Sequence, residues 1–176
     1  AAFRETTARG AQPAFEPTER RDDHGVLREA AIHAYGDTVI KFVEREQYGG
    51  SFAPGFRPTG RTASHSEGVG LAAIDHIVGN VELGAMEKWV RFFADTMGFT
   101  QLVHFDDKSI STEYSALMSK VMQDGSGRVK FPINEPATGR RKSQIQEYLD
   151  YYRGPGVQHI ACASTDIVET VYHLRS

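Results

Sequence analysis

The sequence predicts an α+β fold made of repeated modules, each with one strand, one helix and three further strands. A more regular section begins at Leu71, and its first strand is a strand-like run at 73–78 that ends at Gly79 and Asn80. Apolar residues then recur at helical spacing: Met86, Trp89, Val90, Phe93 and Met97. Strand-like runs follow at 99–105, 114–123 and 128–133, and turn residues separate them. This order predicts one complete βαβββ module from residue 71 onward.

A second module is expected to begin near residue 157. Ser143 and Gln146 have the spacing of a helix-capping box, and Gly154, Pro155 and Gly156 end the helix that follows. The apolar run at 157–161 then predicts a strand. Asp166 and Glu169 have the spacing that caps a last helix. The end of this module is therefore expected to lie outside the sequence.

The part before residue 71 predicts the tail of an earlier module. Strand-like runs at 26–35 and 38–45 flank Gly36 and Asp37, a pair suited to a tight hairpin turn. Residues 1–24 are highly charged without a clear period, so we expect an irregular segment there. Residues 47–70 are rich in glycine and proline, which is typical of a linker. We expect residues 1–46 to be the tail of an N-terminal barrel module, 47–70 a linker, and 71–176 the first part of a C-terminal catalytic barrel.

Composition narrows the classes of function. A net charge of −3 favours neither a nucleic-acid partner nor a basic membrane-binding surface. A single cysteine, Cys162, excludes an internal disulfide and a thiolate zinc cluster and is typical of a reducing compartment, so we expect a cytoplasmic protein. Cys162 follows an apolar strand and is expected in the core. The sequence has no initiator Met and its last helical pattern is cut short, so we expect an internal fragment.

His76 and His159 are the candidate metal ligands. Each stands in the first strand of a predicted module, and each is followed by isoleucine. If the two strands occupy equivalent places in a curved sheet, both imidazoles can converge on its concave side. Two imidazoles and one carboxylate are a common ligand set for a divalent first-row metal with open positions. Judged by spacing alone, a hydrogen-bonded core histidine remains the commoner interpretation.

Polar residues among apolar neighbours predict a small-molecule pocket: Ser119, Asn134, Gln144 and Gln158. Pro132 within a predicted strand indicates a sheet edge or a bulge. The alternative is that Ser119 and Asn134 only satisfy nearby backbone groups. Their types alone do not decide between these interpretations.

Four segments resemble 4-hydroxyphenylpyruvate dioxygenases, and they occur in the order typical of that family: 70–81, 130–137, 142–148 and 154–161. The likeness extends over about residues 24–176 and is strongest between 70 and 161. It implies the vicinal-oxygen-chelate fold of βαβββ modules that form a curved, half-open barrel. It also implies Fe(II) bound by His76 and His159, with a glutamate beyond the chain end as third ligand. Pocket-lining or supporting roles are implied for Val78, Ser119, Pro132, Asn134, Gln144 and Gln158.

The activity implied by this resemblance is the conversion of 4-hydroxyphenylpyruvate and O₂ to homogentisate and CO₂ in tyrosine catabolism. Besides that small-molecule substrate and O₂, the expected partners are further copies of the chain, with no nucleic acid and no membrane. Two alternatives stay open: 4-hydroxymandelate synthase, which hydroxylates the benzylic carbon of the same substrate, and a non-catalytic small-molecule-binding module of the same fold. With one ligand outside the sequence, the 176 residues alone are expected to be inactive.

Overall fold

The computed structural model divides the chain into two units. One consists of Ala1–His33, Val39–Gly70 and Asp166–Ser176, and the other of Ala34–Thr38 and Leu71–Thr165. The structure describes residues 1–60, 68–102, 117–137 and 142–175. Parts of the strands predicted at 99–105 and 114–123 lie outside these ranges.

The first unit is built on a three-stranded antiparallel sheet in the order β1-β2-β3. Its elements are α1 (Ala2–Ala8), β1 (Pro13–Asp22), β2 (Gly25–His33), β3 (Val39–Glu44) and, from the end of the chain, α4 (Ile167–Arg175). The central strand β2 contributes Leu27 and Ile32 to the core, and both are almost fully buried. The predicted pair of hairpin strands is thus confirmed.

The expectation of an irregular segment at residues 1–24 was wrong. Residues 2–8 form a helix and residues 13–22 a strand. β1 lies at a sheet edge and exposes nearly all of its side chains, so no alternation of apolar and polar residues marks it. β1 is a strand because its backbone pairs with β2. The residues of β1 alone do not predict this pairing.

The second unit contains a five-stranded mixed sheet in the order β5-β6-β7-β4-β8. Its elements are β4 (Leu71–Asn80), α2 (Met86–Met97), β5 (Thr100–Gln101), β6 (Leu117–Gln123), β7 (Lys130–Pro136), α3 (Gln144–Tyr152) and β8 (Gly156–Ser164). β4 runs parallel to β7 and antiparallel to β8. The predicted order of elements from residue 71 onward is confirmed.

Local signals explain the two helices of this unit. α2 ends at Gly98, whose φ of 70° is the left-handed conformation that glycine adopts without strain. On its buried side, Phe93 packs against Phe99 and Phe131, with ring centroids 5.9 and 5.3 Å away. Ser143 caps the start of α3, and its hydroxyl accepts a hydrogen bond from the backbone nitrogen of Gln146 at 3.1 Å. The predicted helix stop and helix cap are both confirmed.

Two expectations about strand residues of this unit were wrong. Pro132 lies in an interior strand with regular pairing to β6, not at an edge or a bulge. The pairing between β7 and β4 begins only at Ile133. Pro132 is therefore tolerated, because no carbonyl of β4 is paired with it and needs the backbone N–H that proline lacks. Cys162 is exposed instead of buried, because it lies on the edge strand β8 opposite Ile74, itself 60% exposed.

Candidate metal centre

His76 and His159 lie on neighbouring antiparallel strands at the edge of the five-stranded sheet. In the register of β4 and β8, Val78 pairs with His159 and His76 pairs with Ala161. Directly paired residues share a face of the sheet, so both imidazoles project from the same face. Their ring centroids are 5.7 Å apart at an interplanar angle of 73°. Two imidazoles this close on one face can bind a single metal ion.

A bulge immediately precedes each histidine. On β4, Ile74 pairs with Cys162 and His76 with Ala161, so Asp75 is an extra residue without a pairing partner. On β8, His159 pairs with Val78 and Val157 with Gly79, so Gln158 is the extra residue. An extra residue bends the strand locally and re-aims the side chains beside it. Consecutive side chains, which normally point to opposite faces, can then approach each other.

The side chain of each bulge residue contacts the imidazole that follows it. Asp75 Oδ2 lies 2.7 Å from Nδ1 of His76, and Gln158 Oε1 is hydrogen-bonded to Nδ1 of His159. An oxygen that accepts a hydrogen bond at this position favours a proton on Nδ1 and leaves the lone pair on Nε2. Imidazole in this form can bind a metal ion through Nε2.

Lys130 on β7 completes this arrangement around His76. Its Nζ lies 2.7 Å from Oδ1 of Asp75, so the two carboxylate oxygens serve two different donors. Hydrogen bonds from His76 and then from Lys130 lower the pKa of the Asp75 carboxyl from its ordinary value. Asp75 is therefore held as a carboxylate between a cation and the candidate ligand.

A polar row crosses the same face of the sheet beside the histidines. Ser119 on β6 pairs with Asn134 on β7, and Asn134 pairs in turn with Asn80 on β4. Asn134 Nδ2 donates to Asn80 Oδ1 at 3.4 Å. The Asn80 side chain is fully buried, and no partner for its Nδ2 is found within the described ranges. A buried donor of this kind is rare in folded proteins and is typical of a site that a ligand or ordered water completes.

The other predicted pocket residues are Val78, Pro132 and Gln144, and they differ in their position relative to this row. Val78 lies two residues from His76 and two from Asn80 along β4, so it shares their face of the sheet, and it is 2% exposed. Pro132 is half-buried and pairs with Val121. Gln144 is the exposed first residue of α3, and no hydrogen bond to another described residue links it to the set. The structure thus brings together Val78, Asn134, Ser119 and both histidines, but it does not show Gln144 joining them.

Asp75, Lys130 and Asn80 were missed as candidate site residues. Asn80 carried a usable signal, because a polar residue continues the strand period of His76 and Val78 at a position where an apolar one is usual. Asp75 and Lys130 carried none, since their contacts arise from a bulge and from the pairing of distant strands.

A third ligand is not found among the parts of the chain that the structure describes. Within those ranges no group of three or more His, Cys, Asp or Glu side chains is placed to hold a metal ion. The donor set present is two imidazoles whose Nδ1 atoms both have acceptors. This fits two positions of a metal site and leaves the remaining positions to other groups.

A family model described as the Glyoxalase/Bleomycin resistance protein/Dioxygenase superfamily matches residues 73–176. The chain belongs to this superfamily. The predicted α+β fold of the vicinal-oxygen-chelate type is thereby confirmed.

In the described ranges, no helix combines the length and apolar character needed to cross a bilayer.

Individual relatives agree with the resemblance found in the four segments. A 4-hydroxyphenylpyruvate dioxygenase of Dictyostelium discoideum is 46% identical over 180 residues, which is 99% of this chain and 48% of that protein. One of Yarrowia lipolytica is 41% identical over 178 residues, 99% of this chain and 45% of that protein. The resemblance to this family is confirmed, and the chain spans about half the length of these relatives.

A solved structure supports the fold. A substituted variant of 4-hydroxymandelate synthase from Streptomyces coelicolor superimposes with a TM-score of 0.74 over 99% of this chain and 48% of that one. Its sequence identity is 22%, so the likeness extends to the fold alone.

Proposed function

We propose that this chain is the part of an iron(II)-dependent 4-hydroxyphenylpyruvate dioxygenase that contains two of its three metal ligands. The protein would convert 4-hydroxyphenylpyruvate and O₂ to homogentisate and CO₂. The observation that carries this proposal is the pair His76 and His159 on one sheet face, with an acceptor at each Nδ1. The relatives named for this activity support it.

In this proposal, Fe(II) is bound by Nε2 of His76 and of His159 and by a carboxylate from outside the described residues. When bound, the metal supplies the O₂ and redox chemistry that side chains cannot provide. Leu71 begins the catalytic module, and the segments before it belong to a preceding module. The exposed Cys162 thiol fits a reducing compartment such as the cytoplasm.

The polar row is proposed to position the substrate. Asn134 and Ser119 would hydrogen-bond the phenol end, and the buried Asn80 would hold the Asn134 carboxamide in place. Val78 and Pro132 give the same face an apolar surface against which an aromatic ring can lie. Gln158 and Gln144 are proposed as supporting residues at the rim. These groups act by orienting the substrate, and proton transfer is not required of them.

The test uses the complete protein that contains this chain, loaded with Fe(II) without oxygen. We expect O₂ uptake with 4-hydroxyphenylpyruvate and homogentisate as the product. His76→Ala and His159→Ala should each lose bound iron, while His33→Ala, an exposed strand histidine of the first unit, should retain it. Hydroxymandelate as product would identify the benzylic hydroxylase instead. Wild-type iron content in either ligand variant would contradict the metal assignment.

A further inference from the structure

The contacts of Asp75 point to a function that the metal ligands alone do not explain. Its carboxylate accepts from Lys130 Nζ at Oδ1 and lies against His76 Nδ1 at Oδ2, both at 2.7 Å. The three side chains come from two strands, and the bulge at Asp75 turns its side chain toward the face that carries His76. Lys130 belongs to the same face of β7 as Pro132 and Asn134 by strand period.

We infer that Asp75, held by Lys130, is a positioning residue that fixes His76 as the Nδ1-protonated tautomer before metal binds. This inference rests on the proposed metal site. A neutral imidazole in water favours the proton on Nε2, which is the nitrogen that the metal needs unprotonated. A fixed acceptor at Nδ1 reverses this preference and also restricts ring rotation.

His159 supplies an internal comparison. Its Nδ1 has an amide oxygen as partner, from Gln158, where His76 has a carboxylate. An amide oxygen therefore suffices as acceptor where no cation competes for it. A carboxylate is needed at Asp75 because two donors converge there, and a carboxylate has an oxygen for each.

This comparison determines what Asp75→Asn should do. The amide has one oxygen for two donors, and the cationic Lys130 forms the stronger hydrogen bond and retains it. The amide NH₂ then faces His76 Nδ1, which must become the acceptor, so the proton moves to Nε2. In the double variant Asp75→Asn/Lys130→Met the oxygen is released to His76, and the Nδ1-protonated tautomer returns. Lys130→Met alone leaves the carboxylate on His76 and keeps that tautomer.

The first measurement needs neither metal nor turnover. Long-range ¹H–¹⁵N spectra of the metal-free complete protein at about pH 8.5, where imidazoles are neutral, report the tautomer of each histidine. His76→Gln and His159→Gln assign the signals. We expect His76 to be Nδ1-protonated in the wild type, Nε2-protonated in Asp75→Asn and Nδ1-protonated again in the double variant. His159 should stay unchanged in all three, as should His76 in Asp150→Asn, which removes the ion pair between Asp150 on α3 and Lys142.

The second measurement is Co²⁺ affinity of the complete protein, followed by its visible absorption. Asp75→Asn should bind Co²⁺ roughly 10–100-fold more weakly, and the added Lys130→Met should restore most of the loss. A purely structural role for Asp75 predicts no such rescue. An Nε2-protonated His76 in the wild type, or an unchanged tautomer in Asp75→Asn, overturns the inference even if Co²⁺ binds. Co²⁺ binding unaffected by His76→Ala instead overturns the proposed metal site, and the tautomer result remains readable.

Discussion

Asn134 on β7 and Asn80 on β4 face each other across parallel strands, with Asn134 Nδ2 donating to Asn80 Oδ1 at 3.4 Å. Asn80 is fully buried, and this is the only hydrogen bond of its side chain in the described ranges. The pair therefore links the stability of the sheet to the candidate pocket. In the proposed site, Asn134 would orient the substrate while the buried Asn80 amide holds it in place.

Asn134→Ala should lower the free energy of unfolding by about 1–3 kcal/mol, because it leaves the buried Asn80 side chain without a hydrogen-bond partner among the described residues. Chemical denaturation of the chain measures this. Gln101→Ala removes an exposed amide from β5 of the same sheet and should change stability by less than about 0.5 kcal/mol. Equal effects of the two substitutions would show that the Asn80–Asn134 contact contributes nothing.

Gly79→Ala should destabilise the second unit, because the added Cβ would lie 2.3 Å from Cζ and the hydroxyl oxygen of Tyr35. Tyr35 is buried, which raises its pKa to about 12, and it packs edge-on against Trp89 at 5.6 Å. Overpacking of this kind costs about 1–3 kcal/mol. Thermal unfolding should show the loss, and Gly125→Ala, where a Cβ meets open space, is the control.

Shortening Tyr35 tests the mechanism of that loss. In the Tyr35→Leu background, Gly79→Ala should be better tolerated than in the wild type, since the clashing ring is gone. An equally large loss in both backgrounds would place the cost in the backbone and not in the ring contact.

Asp124 should give the chain a stability component that disappears in acid. Hydrogen bonds from the Ser126 hydroxyl and from backbone amides, including that of Val129, lower its pKa to about 2 from 3.8. Because the pKa is lower in the folded state, the stabilisation is complete above the unfolded value and is lost as pH falls toward 2. The difference in Tm between wild type and Asp124→Asn should therefore be constant above about pH 5 and shrink below pH 4. If the difference in Tm does not change with pH, the effect of Asp124→Asn comes from the lost hydrogen bonds alone and not from the charge.

Glu135 should stabilise α2 through its carboxylate oxygen and not through its charge. Its Oε2 accepts from the backbone nitrogen of Met86, the first residue of α2, at 2.9 Å, and its side chain is buried. Glu135→Ala leaves that amide unpaired and should cost about 1–3 kcal/mol in denaturant unfolding. Glu135→Gln keeps an acceptor oxygen and should retain most of the stability. If the glutamine variant loses as much as the alanine variant, attraction between the charge and the helix terminus dominates instead.

The fold was predictable wherever an element carries its own signal. Ser143 and Gly98 mark helix ends through local chemistry, and the apolar run before Gly79 marks the strand β4. β1 was not predictable, because a charged edge strand is stabilised by pairing with its neighbour. Pro132 misled for the related reason that its tolerance depends on where the ladder to β4 begins.

The two candidate ligands could be named from the sequence, but the geometry of the candidate site and the contacts of Asp75, Lys130 and Asn80 could not. Family resemblance identified His76 and His159, and the register of β4 and β8 was needed to bring their rings to 5.7 Å. The contact of Lys130 with Asp75 joins residues on different strands, and no local pattern encodes it. Such contacts are visible only after the strands are paired.

The bulges at Asp75 and Gln158 also constrain how the gene can change. A bulge adds one residue to a strand while the pairs on either side of it are kept, and it bends the strand at that point. Deleting either bulge residue would restore regular pairing but straighten the strand and remove the oxygen that contacts Nδ1 of the following histidine. Insertions and deletions in these two short segments should therefore be eliminated by selection even where substitutions survive, and homologous sequences should keep the spacing around both histidines without gaps.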